Sequence, residues 1–286
     1  MEGDTAAHSF GGLWTVSKLA ALEKYLKFYT TALKNQGFRL VYVDAFAGTG
    51  EIQVTVGGAT QHERGSAKVA LDIDPPFHEL IFVEKQLRRC KSLSQLAQQF
   101  PARNVKILRG DANTEILQLP QRLVPARTTR AVLFLDPYGL SVQWETLRSV
   151  AQTGIIDLWY LFPLAGLYRQ MAIDSRAIDE AKAASIDTIL GTSDWRQALY
   201  SPPAQAHLFD DPVDQRIGDW RAIVQFVTAR LREAFPAVVD PLILYTSRAD
   251  GSRGSPLFAL YFACSNPHSR AQVLSCRAAN YILTHG

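Results

Sequence analysis

The chain contains, at residues 40–50, the stretch LVYVDAFAGTG. Its first half is an apolar run of strand length that ends in Asp44, and its second half is a turn rich in alanine and glycine. Such a turn places small residues where the backbone can pass close to a ligand, with peptide N–H groups free to bind it. The stretch therefore predicts a buried strand that leads directly into a ligand-binding turn.

The same pattern, a short apolar run followed by a carboxylate, recurs three times downstream. The runs and their acids are residues 80–83 with Glu84, residues 105–108 with Asp111, and residues 131–135 with Asp136. Helical segments such as residues 87–100 and 142–152 separate these runs, and residues 155–162 supply a fifth apolar strand. This alternation predicts a parallel sheet that is covered by helices on both faces.

The two flanks of this alternating region complete the predicted fold. Apolar residues recur at three- and four-residue steps after Ser17, which predicts an amphipathic helix that ends at Gly37. Residues 242–246 and 257–263 have the pattern of two strands joined by a turn rich in Gly, Ser and Arg. We predict an α/β protein with a Rossmann-like class I methyltransferase fold and a seven-stranded, mostly parallel sheet. Residues 1–163 and 236–286 would form this domain, and residues 164–235 a helical insertion between the fifth and sixth strands. The insertion is a candidate region for recognising a substrate or partner, although an ordinary helical surface is the favoured alternative.

The composition is that of an ordinary globular protein. Its 286 residues carry a formal net charge of +3, which suits a polyanionic partner but lacks the clustered charge of a dedicated nucleic-acid binder. No apolar run approaches the roughly 18 residues of a membrane span, and the amino-terminal residues lack the order of a signal peptide. We expect a cytoplasmic protein.

The cysteines and histidines indicate no metal site. Cys90, Cys264 and Cys276 are an odd number at unrelated spacings, which fits neither a disulfide framework nor a zinc site. The six histidines are scattered without ligand spacing. The sequence therefore predicts buried free thiols and no bound metal.

The carboxylates predict a site for S-adenosylmethionine, because ligands of open parallel sheets bind beyond the carboxyl ends of the strands. The turn N–H groups would bind the methionine carboxylate, Glu84 both ribose hydroxyls, and Asp111 the exocyclic amine of adenine. Asp44 or Glu84 alone would favour a helix-capping or surface carboxylate, and only the shared strand context of the acids favours the cofactor. A dinucleotide site is disfavoured because the third glycine of its motif is missing. The candidate cofactor-binding residues of this region are Asp44, Phe46, Gly48, Gly50, Glu84, Asp111 and Ala112.

The tetrapeptide Asp136-Pro137-Tyr138-Gly139 resembles the Asp/Asn-Pro-Pro-Phe/Tyr motif of amino-group methyltransferases. The Asp136 carboxylate and the Pro137 carbonyl would accept both hydrogens of an exocyclic amine, whose lone pair is otherwise delocalised, and Tyr138 would stack on the base. The alternative is an ordinary turn, since Pro and Gly are common turn residues. Tyr138 replaces the second proline and brings the pattern closer to the Asp-Pro-Phe-Gly of tRNA guanine-N2 dimethyltransferases, which leaves the base open.

Several motifs occur in one order along almost the whole chain and together resemble the three-Cys-motif partner family (TcmP). They lie at residues 11–19, 43–50, 65–67, 82–85, 110–113, 133–139, 156–163 and 190–195. The resemblance implies a methyltransferase-like protein that occurs beside a second protein bearing three cysteines. Those cysteines belong to the partner, so Cys90, Cys264 and Cys276 are not that motif.

Trp14, Thr15 and Lys18 precede the first strand, where related amino-methyltransferases often carry an aromatic residue and a lysine that contact the cofactor. Lys18 would pair with the methionine carboxylate. The alternatives, a hydrophobic staple for the tryptophan and a solvated surface lysine, have equal weight.

The substrate-binding candidates are Arg248 and Arg253, because the loop after the sixth strand opens on the same edge as Asp136. The methyl acceptor is expected to be an exocyclic amino group of a nucleobase in RNA or DNA. Methylation of a protein or peptide partner, and an inactive cofactor-binding subunit that serves interaction, stay open as alternatives.

Overall fold

The computed structural model describes residues 13–56, 59–123, 128–202, 213–248, 250 and 252–285. Gly11 and Gly12 of the first motif, Ala249 and Gly251 of the arginine-containing turn, and residues 203–212 of the predicted insertion lie outside this range. The strands are β1 (Arg39–Asp44), β2 (Glu51–Val56), β3 (Ala59–Arg64), β4 (Glu79–Glu84), β5 (Val105–Arg109), β6 (Thr129–Leu135), β7 (Ile156–Phe162), β8 (Tyr200–Ser201), β9 (Gln215–Arg216), β10 (Ala237–Ser247) and β11 (Arg253–Cys264). The helices are α1 (Leu13–Leu33), α2 (Ser66–Asp72), α3 (Leu87–Gln98), α4 (Ala112–Leu117), α5 (Leu119–Leu123), α6 (Trp144–Gln152), α7 (Leu164–Gln170), α8 (Glu180–Leu190), α9 (Trp195–Leu199), α10 (Trp220–Ala234) and α11 (Ser269–His285).

A seven-stranded sheet with the order β10-β11-β7-β6-β1-β4-β5 forms the centre of the protein. The five strands from β7 to β5 are parallel, whereas β11 runs antiparallel to both of its neighbours. Strands β4 and β7 are buried along their whole length, as expected for a parallel sheet covered on both faces. The predicted seven-stranded, mostly parallel sheet is confirmed.

Two apolar layers cover the sheet. On one face, side chains of α1, α2, α3 and α11 pack together with Leu40 and Tyr42 of β1. On the other face, α4 to α6 pack with Val41 and Val43, and α7 to α10 belong to the same cluster. Because alternate residues of a strand point to opposite faces, one strand supplies both layers. The segment 164–235 therefore shares its apolar core with the sheet.

Three elements differ from the sequence-based expectation. Helix α1 begins at Leu13, one turn before Ser17. The β2–β3 hairpin lies between the glycine turn and α2, and α11 follows the last strand and packs against α1 and β10. Among the described residues, no helix is both long and apolar enough to cross a membrane. Cys90, Cys264 and Cys276 are free, as predicted, although Cys276 is only half-buried.

Candidate cofactor and acceptor site

The turn after β1 requires its glycines. Gly48 and Gly50 have φ angles of 63° and 82°, in the left-handed region that favours glycine. The N–H of Gly65 donates to the carbonyl of Gly50 at 2.8 Å, and a Cβ on Gly65 would lie 2.8 Å from the Gly50 backbone. The two glycines thus close the base of the β2–β3 hairpin and fix the end of the predicted ligand-binding turn.

Asp44 lies beneath this turn and is fully buried. Its carboxylate accepts hydrogen bonds from the N–H of Phe46 at 3.2 Å and from the hydroxyl of Ser66. Burial raises the pKa of Asp44 to about 7 against the effect of these hydrogen bonds. The carboxylate therefore holds the turn in shape, and its contact with a cofactor stays a prediction.

Glu84 and Asp111 each use one oxygen to fix the local backbone. Glu84, at the end of β4, accepts from the N–H of Gln86 at 2.8 Å. Asp111 caps α4 and accepts from the N–H of Asn113 at 3.0 Å. Their second oxygens face cations, Arg89 at 3.8 Å for Glu84 and Lys85 at 3.7 Å for Asp111. Each acid can thus fix the backbone and still bind a ligand, because, among the described residues, its second oxygen accepts no backbone hydrogen bond.

The tripeptide Asp136-Pro137-Tyr138, named the acceptor tripeptide after the role predicted for it, follows β6. Asp136 forms an ion pair with Lys18, Pro137 is buried, and the Tyr138 side chain is 55% exposed. Arg89 donates to the Tyr138 hydroxyl at 3.0 Å and lies over the Tyr138 ring. Asp136 and Tyr138 are thus connected to residues from α1 and α3 at the carboxyl edge of the sheet.

The start of α1 lies at this edge as well. The Trp14 ring packs against Phe258 with 4.8 Å between centroids, and the Lys18 ammonium lies 4.8 Å from the Trp14 ring. Thr15 is buried. Lys18 is only 7% exposed, so the solvated surface lysine considered from the sequence is not what the structure contains.

Arg248 and Arg253 flank the turn between β10 and β11, and both are exposed. Ala259 of β11 pairs with Phe162, the last residue of β7, so residues 253–258 extend roughly 20 Å beyond the carboxyl end of β7. Arg253 stacks on Tyr245 at 3.8 Å from its ring centroid. The turn therefore opens on the same edge of the sheet as Asp136, as predicted.

Three residues of the site were not singled out from the sequence. Ser66 bonds Asp44, Arg89 contacts both Glu84 and Tyr138, and Asn113 connects α4 to the loop after Asp136. Ser66 and Asn113 belong to motifs of the TcmP resemblance, which was the available signal. Arg89 lies on the first turn of the helix that follows Glu84, a position that faces the strand end.

Known proteins resemble this chain in structure and not in sequence. No family model and no curated protein matches the sequence. The structure is similar to protein LPL1258 from Legionella pneumophila str. Philadelphia 1, of family model DUF519, with a TM-score of 0.54, 11% identity, and coverage of 97% of this chain and 95% of that chain. An S-adenosylmethionine-dependent methyltransferase from Clostridium acetobutylicum ATCC 824 matches with a TM-score of 0.35 and 8% identity over 84% of this chain and 91% of that chain.

When only the seven strands of the central sheet are numbered along the chain, from β1 as 1 to β11 as 7, their order in the sheet is 3-2-1-4-5-7-6. The seventh of them, β11, is antiparallel to its neighbours. This is the doubly wound arrangement with one antiparallel strand inserted near an edge. The chain has a Rossmann-like α/β fold with a seven-stranded, mostly parallel sheet, and its likeness to protein LPL1258 is one of fold alone.

Proposed function

We propose that this protein is an S-adenosylmethionine-dependent methyltransferase that transfers a methyl group to an exocyclic amino group of a nucleobase in RNA or DNA. One observation carries the proposal. Along the carboxyl edge, the adjacent strands β5, β4, β1 and β6 lead to Asp111, Glu84, the glycine turn and Asp136. Three strand spacings of about 4.8 Å span roughly 14 Å, which suits an extended nucleoside with an amino-acid arm that ends beside the acceptor site.

The residues at this edge match the parts of such a cofactor in order. Asp111 and the adjacent Ala112 would bind the adenine, and Glu84 the ribose hydroxyls. The N–H groups between Phe46 and Gly50 would bind the methionine end, together with Trp14, Thr15 and Lys18 of α1. When bound, S-adenosylmethionine supplies an electrophilic methyl group on its sulfonium.

The acceptor tripeptide suits an amine that must become a nucleophile. Asp136 and the Pro137 carbonyl would accept the two N–H hydrogens, and the exposed ring of Tyr138 offers a surface for a base that has left its stack. Alignment of the nitrogen with the methyl group and fixed acceptors around it would supply the rate enhancement. Arg248 and Arg253 would bind phosphates on the same edge, so nucleic-acid binding should weaken as salt rises.

Cofactor binding is the first test. Isothermal titration with S-adenosylhomocysteine should give binding that Glu84→Gln weakens at least tenfold, because a charge-assisted hydrogen bond contributes about 1.5–3 kcal/mol. Glutamine keeps an oxygen for the Gln86 N–H, so the turn should survive. Glu145→Gln, an exposed change on α6, is the control. A folded wild-type protein that does not bind would contradict the proposal.

Methyl transfer is the second test. Tritiated methyl groups should enter an RNA or DNA pool, and Asp136→Ala should abolish transfer while S-adenosylhomocysteine still binds. Transfer to protein alone would select methylation of a partner, and cofactor binding without transfer to any pool would select an interaction subunit. Membership of the TcmP family, and association with a three-Cys-motif protein, stay predictions that co-purification of such a partner would test.

A further inference from the structure

Lys18 is paired with the Asp136 carboxylate, which the proposed reaction needs as a hydrogen-bond acceptor. Its ammonium forms an ion pair with Asp136 and lies over the Trp14 ring. The Lys18 side chain is 8% exposed, and that of Asp136 is 25% exposed. In this arrangement an oxygen of Asp136 is bonded to a cation, although the transfer requires it to accept hydrogens from the methyl acceptor.

Lys18 also acts on a second carboxylate at the same edge. Burial has the largest effect on the pKa of Asp44 and raises it. Among the nearby charges, Asp136 raises this pKa and Lys18 lowers it. Without the charge of Lys18, the carboxylates of Asp44 and Asp136, at the ends of the adjacent strands β1 and β6, would repel each other with little screening by solvent. The Lys18 charge thus reduces the repulsion between the two acids while it is paired with Asp136.

We propose that Lys18 exchanges partners when the cofactor binds, moving from Asp136 to the methionine carboxylate, so that Asp136 becomes available to the acceptor amine. This inference rests on the proposed function. The methionine carboxylate of the cofactor would compete with Asp136 for the Lys18 ammonium. Lys18 is thus a positioning residue, and it imposes an order in which the cofactor binds before the acceptor.

A comparison of two ligands isolates this exchange. S-adenosylhomocysteine carries the carboxylate, whereas 5′-methylthioadenosine lacks the whole amino-acid arm. Asp136→Asn removes the ion pair that must be broken, so it should raise the affinity for S-adenosylhomocysteine roughly two- to fivefold, as expected for a partly exposed ion pair. The affinity for 5′-methylthioadenosine should stay unchanged.

A double-mutant cycle assigns the gain to Lys18. In a Lys18→Met background, Asp136→Asn should no longer raise the affinity for S-adenosylhomocysteine. If Lys18→Met does not fold, as circular dichroism would reveal, the comparison of the two ligands on Asp136→Asn still decides the matter.

The outcomes separate this inference from the proposed function. Wild-type protein that binds S-adenosylhomocysteine, with no gain in Asp136→Asn or an equal gain for both ligands, would overturn the exchange and leave the methyltransferase proposal standing. Folded wild-type protein that binds neither ligand would overturn both.

Discussion

Asp157 has a buried carboxyl group near the amino-terminal end of β7, on the edge of the sheet opposite the candidate site. The Tyr25 hydroxyl donates a hydrogen bond to it at 2.6 Å. Burial raises the pKa of Asp157 to about 6, although hydrogen bonds from Tyr25 and Cys264 oppose the shift. The group borders a cavity of about 260 Å³ that includes Phe28, Tyr29 and Leu274 in its lining. At neutral pH the fold thus contains an ionised carboxylate in largely apolar surroundings, which lowers its stability.

The sign of the resulting pH dependence follows from this raised pKa. The folded protein holds the Asp157 proton up to about pH 6, whereas the unfolded chain releases it near pH 4, so stability is lost as the pH rises through 6. Asp157→Asn removes this loss. We expect the decrease in the free energy of unfolding between pH 5 and pH 8 to shrink by about 1 kcal/mol, measured by urea denaturation at both pH values.

Asp240 provides the control for this measurement, because its side chain is 81% exposed on β10. Asp240→Asn should leave the pH 5 to pH 8 difference as in the wild type. An unchanged difference in Asp157→Asn would show that this carboxyl group is not held in its neutral form at pH 5.

At the scale of elements, Asn113 joins α4 to the loop that carries the acceptor tripeptide. Its side-chain amide donates to the carbonyl of Ser141 at 2.8 Å. Its oxygen accepts from the N–H of Gln143 at 3.0 Å and from the hydroxyl of Thr146 at 2.8 Å. Two of these bonds hold Ser141 and Gln143 at the far end of the loop that begins at Asp136, and the third holds Thr146 of α6.

Asn113→Ala should increase the local opening of this loop while the protein stays folded. Loss of the three hydrogen bonds should lower the free energy of unfolding by roughly 1–3 kcal/mol, and the amides of residues 138–143 should exchange with deuterium faster than in the wild type. The control is Asn104→Ala, which removes one hydrogen bond to the His78 carbonyl at 3.3 Å. Equal protection of residues 138–143 in wild type and Asn113→Ala would contradict the role of Asn113.

The strands of the central sheet could be predicted because each parallel strand is a continuous apolar run that ends in a recognisable turn or carboxylate. The β2–β3 hairpin did carry a signal, with alternating apolar residues from Ile52 to Val56 and the Gly57-Gly58 pair typical of two-residue hairpin turns. It was overlooked because strand–helix alternation has no place for a hairpin beside the sheet. Helix α11 is rich in polar and small residues, so its position depends on packing against α1 and β10 rather than on a strong apolar pattern.

The candidate site, too, could be predicted from the sequence only in part. The acids at the strand ends could be located, since a parallel sheet brings all carboxyl ends of its strands to one edge. The ion pair of Lys18 with Asp136 joins residues 118 positions apart, and no local pattern predicts which lysine reaches which acid. The hydrogen bond from Ser66 to Asp44 likewise joins residues on either side of the hairpin, which the alternation did not predict.

At the scale of the whole molecule, the segment 164–235 was predicted as an insertion, and its helices complete the second face of the sheet. Trp195 of α9 is 2% exposed within the same apolar cluster as Leu133 of β6 and Tyr160 of β7. Its indole N–H donates to Asp187 of α8 at 2.6 Å. A role of this segment in substrate or partner recognition must therefore use its outer surface, because its inner surface is part of the core.

This shared core predicts that the sheet and the segment unfold together. Trp195→Ala should lower the free energy of unfolding by about 3–5 kcal/mol, the usual cost of a large buried cavity. In a background in which Trp14, Trp144 and Trp220 are replaced by Phe, the fully buried Trp159 of β7 is the one tryptophan left in Trp195→Ala. Its fluorescence then reports on the sheet, while far-UV circular dichroism reports on all helices. Both transitions should shift to lower urea concentration by the same amount and stay coincident. Tyr281→Ala, at a side chain that is 66% exposed on α11, should shift neither. Two separated transitions in Trp195→Ala would mean that the segment unfolds on its own and that the sheet stays folded without it.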